Sequence, residues 1–251
     1  MQTLINWHLI SYSTGFVLMG LWFYSIFFVY SLYWHRAASH NQITLAPGFA
    51  HLLRFWLWIN TTIWYHGHLY RFTAEHRLHH MISDQPNDPL SPKNHSLKEF
   101  FKYGNVPGQA RYVSPEQLRA LGNYSVEPLD KFSMFYKQHQ FKGIYITAIV
   151  WVILLGPIGL LFGLLSPYMW QYGGTFFGDY IWHTVGYKHP NSKDEARNIM
   201  PWPLLEGLHS NHHVNGRNPN NAYRWWEIDL FYWQIKLLSL FKLVSFNEYK
   251  K

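Results

Sequence analysis

Three groups of histidines are the residues of this chain best suited to chemistry. They occur as HRAASH, HRLHH and HSNHH, which contain His35, His40, His76, His79, His80, His209, His212 and His213. On an α-helix, positions i, i+3 and i+4 share one face, so each HxxHH motif can direct three imidazoles to one place. The two histidines of HxxxxH do not share a face, so we expect them on either side of a helix end. The pattern predicts a metal site.

The number of grouped histidines favours two metal ions. Imidazole suits iron, copper, zinc or nickel, and the grouped histidines exceed what one ion of roughly four to six ligands can use. The other histidines have no patterned partner, and we expect surface or hydrogen-bonded roles for His8, His51, His95, His139 and His189. His66 and His68 remain ambiguous. Spacing alone leaves the identity of the metal open.

The composition excludes several kinds of chemistry. The 251 residues are enough for one domain, and they include no cysteine, so disulfides and an iron–sulfur centre held by this chain are excluded. Electrons for any redox reaction would therefore come from another molecule. The formal net charge is +7, but the basic residues form no dense run, so we expect attraction to a membrane surface and no nucleic-acid partner.

The segment before the first motif is a candidate for crossing a membrane. Residues 1–35 contain no Asp, Glu, Lys or Arg. Residues 9–34 exceed the ~20 apolar residues that cross the hydrocarbon core of a bilayer. They lack the basic region and the cleavage site of a signal peptide, so the sequence predicts a retained spanning helix.

A second apolar tract is long enough for two crossings. Asp179 is the only Asp, Glu, Lys or Arg between positions 143 and 187. The sequence GLLSP at 163–167 interrupts the tract with residues that favour a tight turn. We therefore predict a helical hairpin with spanning helices at 143–163 and 167–187.

The basic residues predict the orientation. Nearly all of them lie in residues 71–142 and 188–251, the segments that also hold most of the histidines. By the positive-inside rule these segments form a cytoplasmic cap that includes the C-terminus, and the N-terminus lies on the opposite side. Residues 47–70 are apolar with polar interruptions, which favours a helix in the interface. The predicted fold is all-α: one domain over 1–251, an integral membrane helical bundle whose cytoplasmic cap holds a two-metal site.

Taken together, the motifs resemble the membrane fatty acid desaturases of the acyl-CoA and bacterial Delta-9 type. The resemblance runs from about residue 16 to the C-terminus through YWHRAASH, EHRLHHMISDQPNDPLSP, GDYIWHTVGYKHP, EGLHSNHH and WWEID, in family order. Any one histidine box alone would be a weaker signal, because membrane hydroxylases and ketolases carry similar boxes. The combination of motifs carries the resemblance.

The resemblance implies further site residues and cofactors. It adds His183 as a ninth metal ligand, and it places Asp179 where relatives commonly have an Asn that holds a metal-bound water. Asp179 is therefore expected to contact a metal directly or through water. Two iron ions would be the cofactors and dioxygen a co-substrate. Nearby carboxylates are candidate acceptors of hydrogen bonds from the ligating histidines, namely Glu75, Glu206, Glu227 and Asp229.

The implied activity is oxygen-dependent desaturation of a fatty acyl chain. A cis double bond, of the Delta-9 type, would form in an acyl-CoA, an acyl-lipid or an acyl chain on acyl carrier protein, with electrons from a ferredoxin or a b-type cytochrome. The acyl chain would enter from the membrane lipid. A related di-iron hydroxylase or ketolase of a carotenoid, sterol or alkane is an alternative, which the DPLSP and WWEID context disfavours. A metal transporter is disfavoured because transporter ligands lie near the bilayer midplane.

Overall fold

The computed structural model describes residues 8–60, 68–96, 98, 113–122, 130–174, 178, 180–199 and 206–248. These residues are mostly helical, which confirms the helical part of the predicted fold. Asp179 and His66 lie outside the described residues, so the expectation that Asp179 approaches a metal stays a prediction.

The first motif lies at the end of a long apolar helix. Helix α1, Tyr12–Tyr30, begins after Ser11, whose hydroxyl accepts a hydrogen bond from the N–H of Thr14 at 3.2 Å. It continues directly into a π-helical segment, Ser31–Ser39, so the helix runs past the predicted end at residue 34. Together they are long and apolar enough to cross a membrane, and only 28% of their most apolar 18-residue stretch is buried.

The π-helical winding brings the two histidines of HxxxxH together. A π-helix forms hydrogen bonds between residues five apart, so residue i+5 lies close to residue i along the axis. The N–H of His40 donates to the carbonyl of His35 at 3.1 Å, and the ring centroids lie 4.8 Å apart. His40 is also the residue that ends this helical segment. The spacing predicted a helix end between the two histidines but not the π-helical winding.

The predicted helical hairpin is present, but its turn lies elsewhere. Helices α6, Lys142–Leu155, and α7, Gly159–Gly174, are joined by the 3₁₀ turn Gly156–Ile158. Gly156 has a φ of 68°, a left-handed conformation that favours glycine. The prediction of a turn at 163–167 is therefore wrong, and the predicted helices at 143–163 and 167–187 have different bounds.

Two residues of the GLLSP segment, Gly163 and Ser166, fit a helix here and not a turn. A Cβ on Gly163 would lie 2.3 Å from the Cα of Ala148, so this glycine permits close packing of α7 on α6. Pro167 lacks the N–H that would donate to the carbonyl of Gly163. The hydroxyl of Ser166 donates to that carbonyl instead, at 3.2 Å. The apparent turn signals thus serve helix packing.

The start of α1 and the hairpin turn lie at the same end of the bundle. The N–H groups of Leu9 and Ile10 donate to the carbonyl of Leu154 at 2.9 and 3.2 Å. The first histidine motif lies at the other end of α1. The stretch Lys142–Pro167, which includes the turn, is also long and apolar enough to cross a membrane by length and composition.

Helix α2, Pro47–Asn60, lies beside α1 and ends deep in the bundle. The buried amide oxygen of Asn60 accepts hydrogen bonds from Trp22 Nε1 at 2.6 Å and from the hydroxyl of Thr147 at 3.2 Å. Residues 61–67 are not described. Helix α3 begins at His68, so the described residues within the expected interfacial helix at 47–70 are helical.

The remaining elements form the region around the motifs. The helices are α3 His68–Ile82, α4 Pro115–Leu121, α5 Lys131–Gln138, α8 Trp182–Thr184, α9 His209–Val214 and α10 Leu230–Leu240. The main core lies between the π-helical segment, α1, α2 and α10, and includes Ile26, Trp34, Leu57 and Ile235.

An all-helical prediction missed one small sheet. Strand β1, Ile43–Leu45, pairs in antiparallel fashion with β2, Val244–Phe246, and Thr44 lies opposite Ser245. The pair joins the segment that follows the first motif to the segment that follows α10.

Many apolar side chains of α1 and the hairpin point outward. The exposed fraction lies between 57% and 70% for Phe16, Val17, Leu21, Ile149 and Leu161. Soluble monomers rarely expose a large apolar surface of this kind, which is typical of contact with lipid or with another protein.

Candidate metal centre

Nine histidines converge into two adjoining clusters. The five-histidine cluster contains His35, His40, His76, His80 and His212, and the four-histidine cluster contains His79, His183, His209 and His213. Within each cluster the nitrogens that could bind a metal all lie within 4.8 Å of one another. The ring centroids of His80 and His213 are 4.3 Å apart, so the clusters are neighbours. The eight histidines of the motifs and His183 therefore meet in one region.

Each HxxHH motif is divided between the two clusters. In α3, His76 and His80 belong to the five-histidine cluster, whereas His79 belongs to the four-histidine cluster. Helix α9 divides its motif in the same way, with His212 as the separate residue. Consecutive positions on an α-helix are about 100° apart, so positions i+3 and i+4 can face different sites. The expectation that each motif directs three imidazoles to one place is wrong.

Nitrogen atoms face one another inside both clusters. His40 Nε2 lies 2.8 Å from His76 Nε2, and His212 Nε2 lies 3.0 Å from His35 Nε2. In the four-histidine cluster, the Nε2 atom of His213 is buried and has no hydrogen-bond partner among the described residues. Facing lone pairs repel one another unless a proton or a cation lies between them. A set of buried imidazole nitrogens of this kind fits a transition-metal ion.

In four of these rings a carboxylate contacts Nδ1, the ring nitrogen that points away from the centre of the cluster. The distances from Nδ1 to the carboxylate oxygen are 2.9 Å for His79–Asp88, 3.0 Å for His183–Asp84, 2.8 Å for His213–Asp194 and 3.4 Å for His35–Glu206. A hydrogen bond from Nδ1–H to a carboxylate fixes the tautomer and leaves the Nε2 lone pair free for a metal. The carboxylates thus orient the rings.

Burial keeps the clustered imidazoles neutral. Removal from water, followed by the influence of neighbouring rings, lowers the pKa well below the usual 6.5 for His76, His80, His209, His212 and His213. Neutral imidazole is the form that binds metals, so these residues could do so at neutral pH.

Three of the orienting carboxylates were missed by the sequence-based reasoning. Asp84 and Asp88 follow the second motif closely, and Asp84 has a φ of 60°, which Asp tolerates better than most residues. Burial alone would raise the pKa of Asp84, but hydrogen bonds from His183, from Ser91 and from a backbone N–H hold it well below its usual range. Asp194 lies 19 residues before His213 and outside the quoted motifs, so only the folded structure reveals their contact.

The predicted carboxylates act in different ways. Glu206 contacts His35, as given above. Glu227 accepts a hydrogen bond from Asn211 of the third motif at 2.7 Å, and Asp229 accepts one from Arg36 of the first motif at 3.1 Å. These two therefore support the motifs through side chains other than imidazole.

The carboxylate of Glu75 is buried on α3. Among the residues that the structure describes, neither cluster includes His8, His51, His95, His139 or His189.

No protein-family model matches the chain, but individual proteins are similar to it. The sn-1 stearoyl-lipid 9-desaturase of Synechocystis sp. is 27% identical over 86% of this chain and 65% of its own length. The hex-5-enoyl-[acyl-carrier protein] acetylenase of Moorena producens is 27% identical over 94% of this chain and 78% of its own length. A probable acyl-CoA desaturase of Schizosaccharomyces pombe is 25% identical over 84% of this chain and 44% of its own length. The chain thus spans less than two thirds of the length of the first and the last of these relatives.

Proposed function

We infer the function of this chain from the premise that it is a relative of the fatty acid desaturases, which are oxidoreductases. This relationship confirms the resemblance found in the motifs. We propose that the chain is a membrane di-iron desaturase, which introduces a cis double bond of the Delta-9 type into a saturated fatty acyl chain. The two adjoining all-histidine clusters are the observation that carries this proposal.

The proposed ligands are the nine histidines of the two clusters, with one iron in each cluster. Bound iron would supply the activation of dioxygen that removal of hydrogen from an unactivated methylene requires. In the overall reaction the acyl chain loses two hydrogen atoms, an external donor supplies two electrons, and dioxygen with two further protons becomes two molecules of water. The donor would be a ferredoxin or a b-type cytochrome.

The side chains around the clusters have three tasks in this proposal. The carboxylates hold the imidazoles in the tautomer that binds iron. Burial of the rings keeps them neutral and limits the access of water, which would protect the oxidant from unproductive reduction. The packing of α3 on the π-helical segment, together with the ring contacts of His212 with His35 and His80, would hold the ligands in place before iron binds.

The outward-facing apolar residues of α1 and the hairpin support a location in the membrane. They would contact lipid, while the histidine clusters and the basic segments lie in the cytoplasmic cap. An acyl chain would then enter from the bilayer and follow an apolar path to the clusters. Relatives are named for acyl-lipid, acyl-CoA and acyl carrier protein substrates, so the carrier is the next property to determine.

Expression in a host that cannot make unsaturated fatty acids tests the activity. Mass spectrometry of the host lipids should detect new monounsaturated chains, and the purified protein should contain about two irons per chain. The variants His79→Ala and His212→Ala should lose iron and activity.

His139→Ala is the matched control, because the hydrogen bond from Trp58 goes to the backbone carbonyl of His139, which alanine retains. Hydroxylated or keto products in place of double bonds would favour the alternative activity. Full activity of a protein that contains only zinc would refute the di-iron proposal.

A further inference from the structure

A group of basic side chains surrounds one carboxylate on the surface near the four-histidine cluster. Glu195 lies 2.8 Å from Lys188 Nζ, 3.3 Å from Arg197 Nη2 and 3.4 Å from Lys93 Nζ. Three cations around one carboxylate leave an excess of two positive charges. The three basic side chains are 31–54% exposed. We call Lys93, Lys188, Glu195 and Arg197 the Glu195 patch.

Aromatic side chains extend this surface. Tyr187 directly precedes Lys188, and the guanidinium carbon of Arg224 lies 4.9 Å from the ring centroid of Tyr187 and 5.5 Å from that of Trp226. The neighbouring Trp225 is 95% exposed. Exposed Trp, Tyr and Arg side chains are enriched where proteins bind one another.

Short hydrogen-bonded connections lead from the Glu195 patch to the four-histidine cluster. The backbone N–H of Glu195 donates to Asp84 Oδ2 at 2.8 Å, and the same oxygen lies 3.0 Å from His183 Nδ1. The adjacent Asp194 contacts His213 Nδ1 at 2.8 Å. Two imidazoles of the cluster are therefore linked to the backbone that carries the patch.

We propose that the Glu195 patch is the docking surface for an acidic electron-transfer protein. This inference rests on the proposed function, whose reaction consumes two electrons that the acyl chain does not supply. The chain has no cysteine and so holds no iron–sulfur centre of its own. At each docking the reduced donor would give up one electron to the irons that the two clusters would hold and would leave oxidised, so two dockings would supply one turnover.

Charge and position both support this assignment. An excess of positive charge complements an acidic donor, accelerates its encounter with the surface and makes the rate dependent on ionic strength. The connections through Asp84 and Asp194 give a short covalent and hydrogen-bonded route from the docked donor to His183 and His213. Electron transfer is fast over short, well-connected routes of this kind.

The test uses the full iron-loaded chain in lipid nanodiscs, with two acidic probes. These are a reduced plant-type [2Fe–2S] ferredoxin and the reduced haem domain of a cytochrome b5, which distinguish the two classes of donor. Stopped-flow spectroscopy measures the second-order rate of donor oxidation at several ionic strengths. The double variant Lys93→Glu, Lys188→Glu should slow oxidation of the matching donor about tenfold or more at low salt and flatten its salt dependence.

Two further variants control for folding and for general charge. The neutral double variant Lys93→Gln, Lys188→Gln avoids repulsion with Glu195 and should show a smaller decrease in the same direction. Lys137→Glu changes an exposed lysine on α5, which carries no residue of the patch, and should keep the parent rate. A small uncharged hydroquinone should drive turnover equally in all variants, because it needs no docking surface.

Several results would overturn the docking inference. One is an equal rate of donor oxidation in the parent and in both double variants. Another is a raised KM for acyl-CoA with unchanged donor oxidation, which would assign the patch to the substrate carrier. The affinity of the oxidised donors for the protein, measured without turnover, tests docking even if no double bond forms. Failure of the hydroquinone to yield unsaturated product with the parent would count against the proposed function instead.

Discussion

Arg36 and Glu206 form a two-point ion pair beside the five-histidine cluster. The guanidinium donates through Nε to Oε1 and through Nη2 to Oε2, both at 2.9 Å. Oε1 of Glu206 also lies 3.4 Å from Nδ1 of His35. Burial alone would raise the pKa of Glu206, but Arg36 outweighs it and holds that pKa well below its usual range. The pair therefore keeps an ionised carboxylate in a fixed position against His35, the first of the proposed ligands.

Replacing this carboxylate should weaken iron binding at one cluster. In Glu206→Gln the neutral amide removes one of the two carboxylate partners of the buried Arg36, leaving Asp229, and loosens the hold on His35. Loss of such an orienting group typically lowers metal affinity ten- to a hundredfold. We expect about one iron per chain after dialysis against a mild chelator, measured by mass spectrometry of the metal. Glu116→Gln, an exposed substitution, should retain two irons, and parent-like iron content in Glu206→Gln would contradict the prediction.

The division of the second motif predicts unequal effects for neighbouring histidines. His80→Ala leaves four imidazoles in its cluster, whereas His79→Ala leaves three in the other. Four ligands are still a sufficient set for a metal ion, so His79→Ala should lose more iron than His80→Ala. Iron content and Mössbauer spectra of both variants would check this. Equal losses would argue that the clusters do not bind separate ions.

Asp88→Asn tests an orienting carboxylate that the sequence analysis did not assign to the site. Asp88 is fully buried and accepts hydrogen bonds from His79 and from the N–H groups of Asp84 and Leu90. An amide there can keep some of these bonds but attracts the Nδ1–H of His79 less strongly. We expect a ten- to a hundredfold lower iron affinity at the four-histidine cluster, measured by chelator competition. An unchanged affinity would mean that His79 needs no carboxylate.

The ion pair of Arg54 and Asp130 should stabilise the packing of α5 on α2. Arg54 is buried, and its Nη2 lies 2.8 Å from Asp130 Oδ2. Asp130→Asn leaves a buried cation unpaired, which should cost about 2–4 kcal/mol of the free energy of unfolding. Thermal unfolding in detergent should therefore give a lower Tm at pH 7, and an unchanged Tm would refute this role.

The ion pair of Arg54 and Asp130 also predicts how the Tm difference between Asp130→Asn and the parent depends on pH. Burial alone would raise the pKa of Asp130, but Arg54 and the N–H of Ser133 lower it to about 2, from about 3.9 in the unfolded chain. Since the folded pKa is the lower one, the carboxylate stabilises fully above pH 4 and loses its contribution as the pH falls toward 2. The Tm difference between Asp130→Asn and the parent should be equal at pH 8 and 6 and should shrink below pH 4.

The absence of cysteine makes the orientation directly measurable. Tyr12→Cys lies at the start of α1, Ile158→Cys at the hairpin turn, and Trp225→Cys on the cap, and all three positions are exposed. In spheroplasts, an impermeant maleimide should label the first two from outside and the third only after lysis. Labelling of all three from the same side would contradict the proposed topology.

Sequence reasoning succeeds here where the chemistry is local. The spacing of the histidine boxes and the resemblance together identified the nine residues that the structure brings together. The role of Asp194 depends on an approach between segments distant in sequence, which no local pattern encodes. Gly163 and Pro167 misled the prediction because glycine serves close helix packing as well as turns, and because Ser166 replaces the hydrogen bond that proline cannot make. The strand after His40 is too short to show a periodic pattern.

The pairing of β1 with β2 can form only late in the synthesis of the chain. A chain that emerges from the ribosome exposes β1 early, but its partner strand, Val244–Phe246, follows the last histidine box. The segment after His40 therefore has no strand partner until every proposed ligand has been translated. Asn247 then adds hydrogen bonds to the backbone of Asn41 and Gln42 at 2.9 and 3.0 Å. Premature termination before residue 244 would leave β1 unpaired, so a truncated chain would carry all nine histidines without the strand pairing that follows the first box.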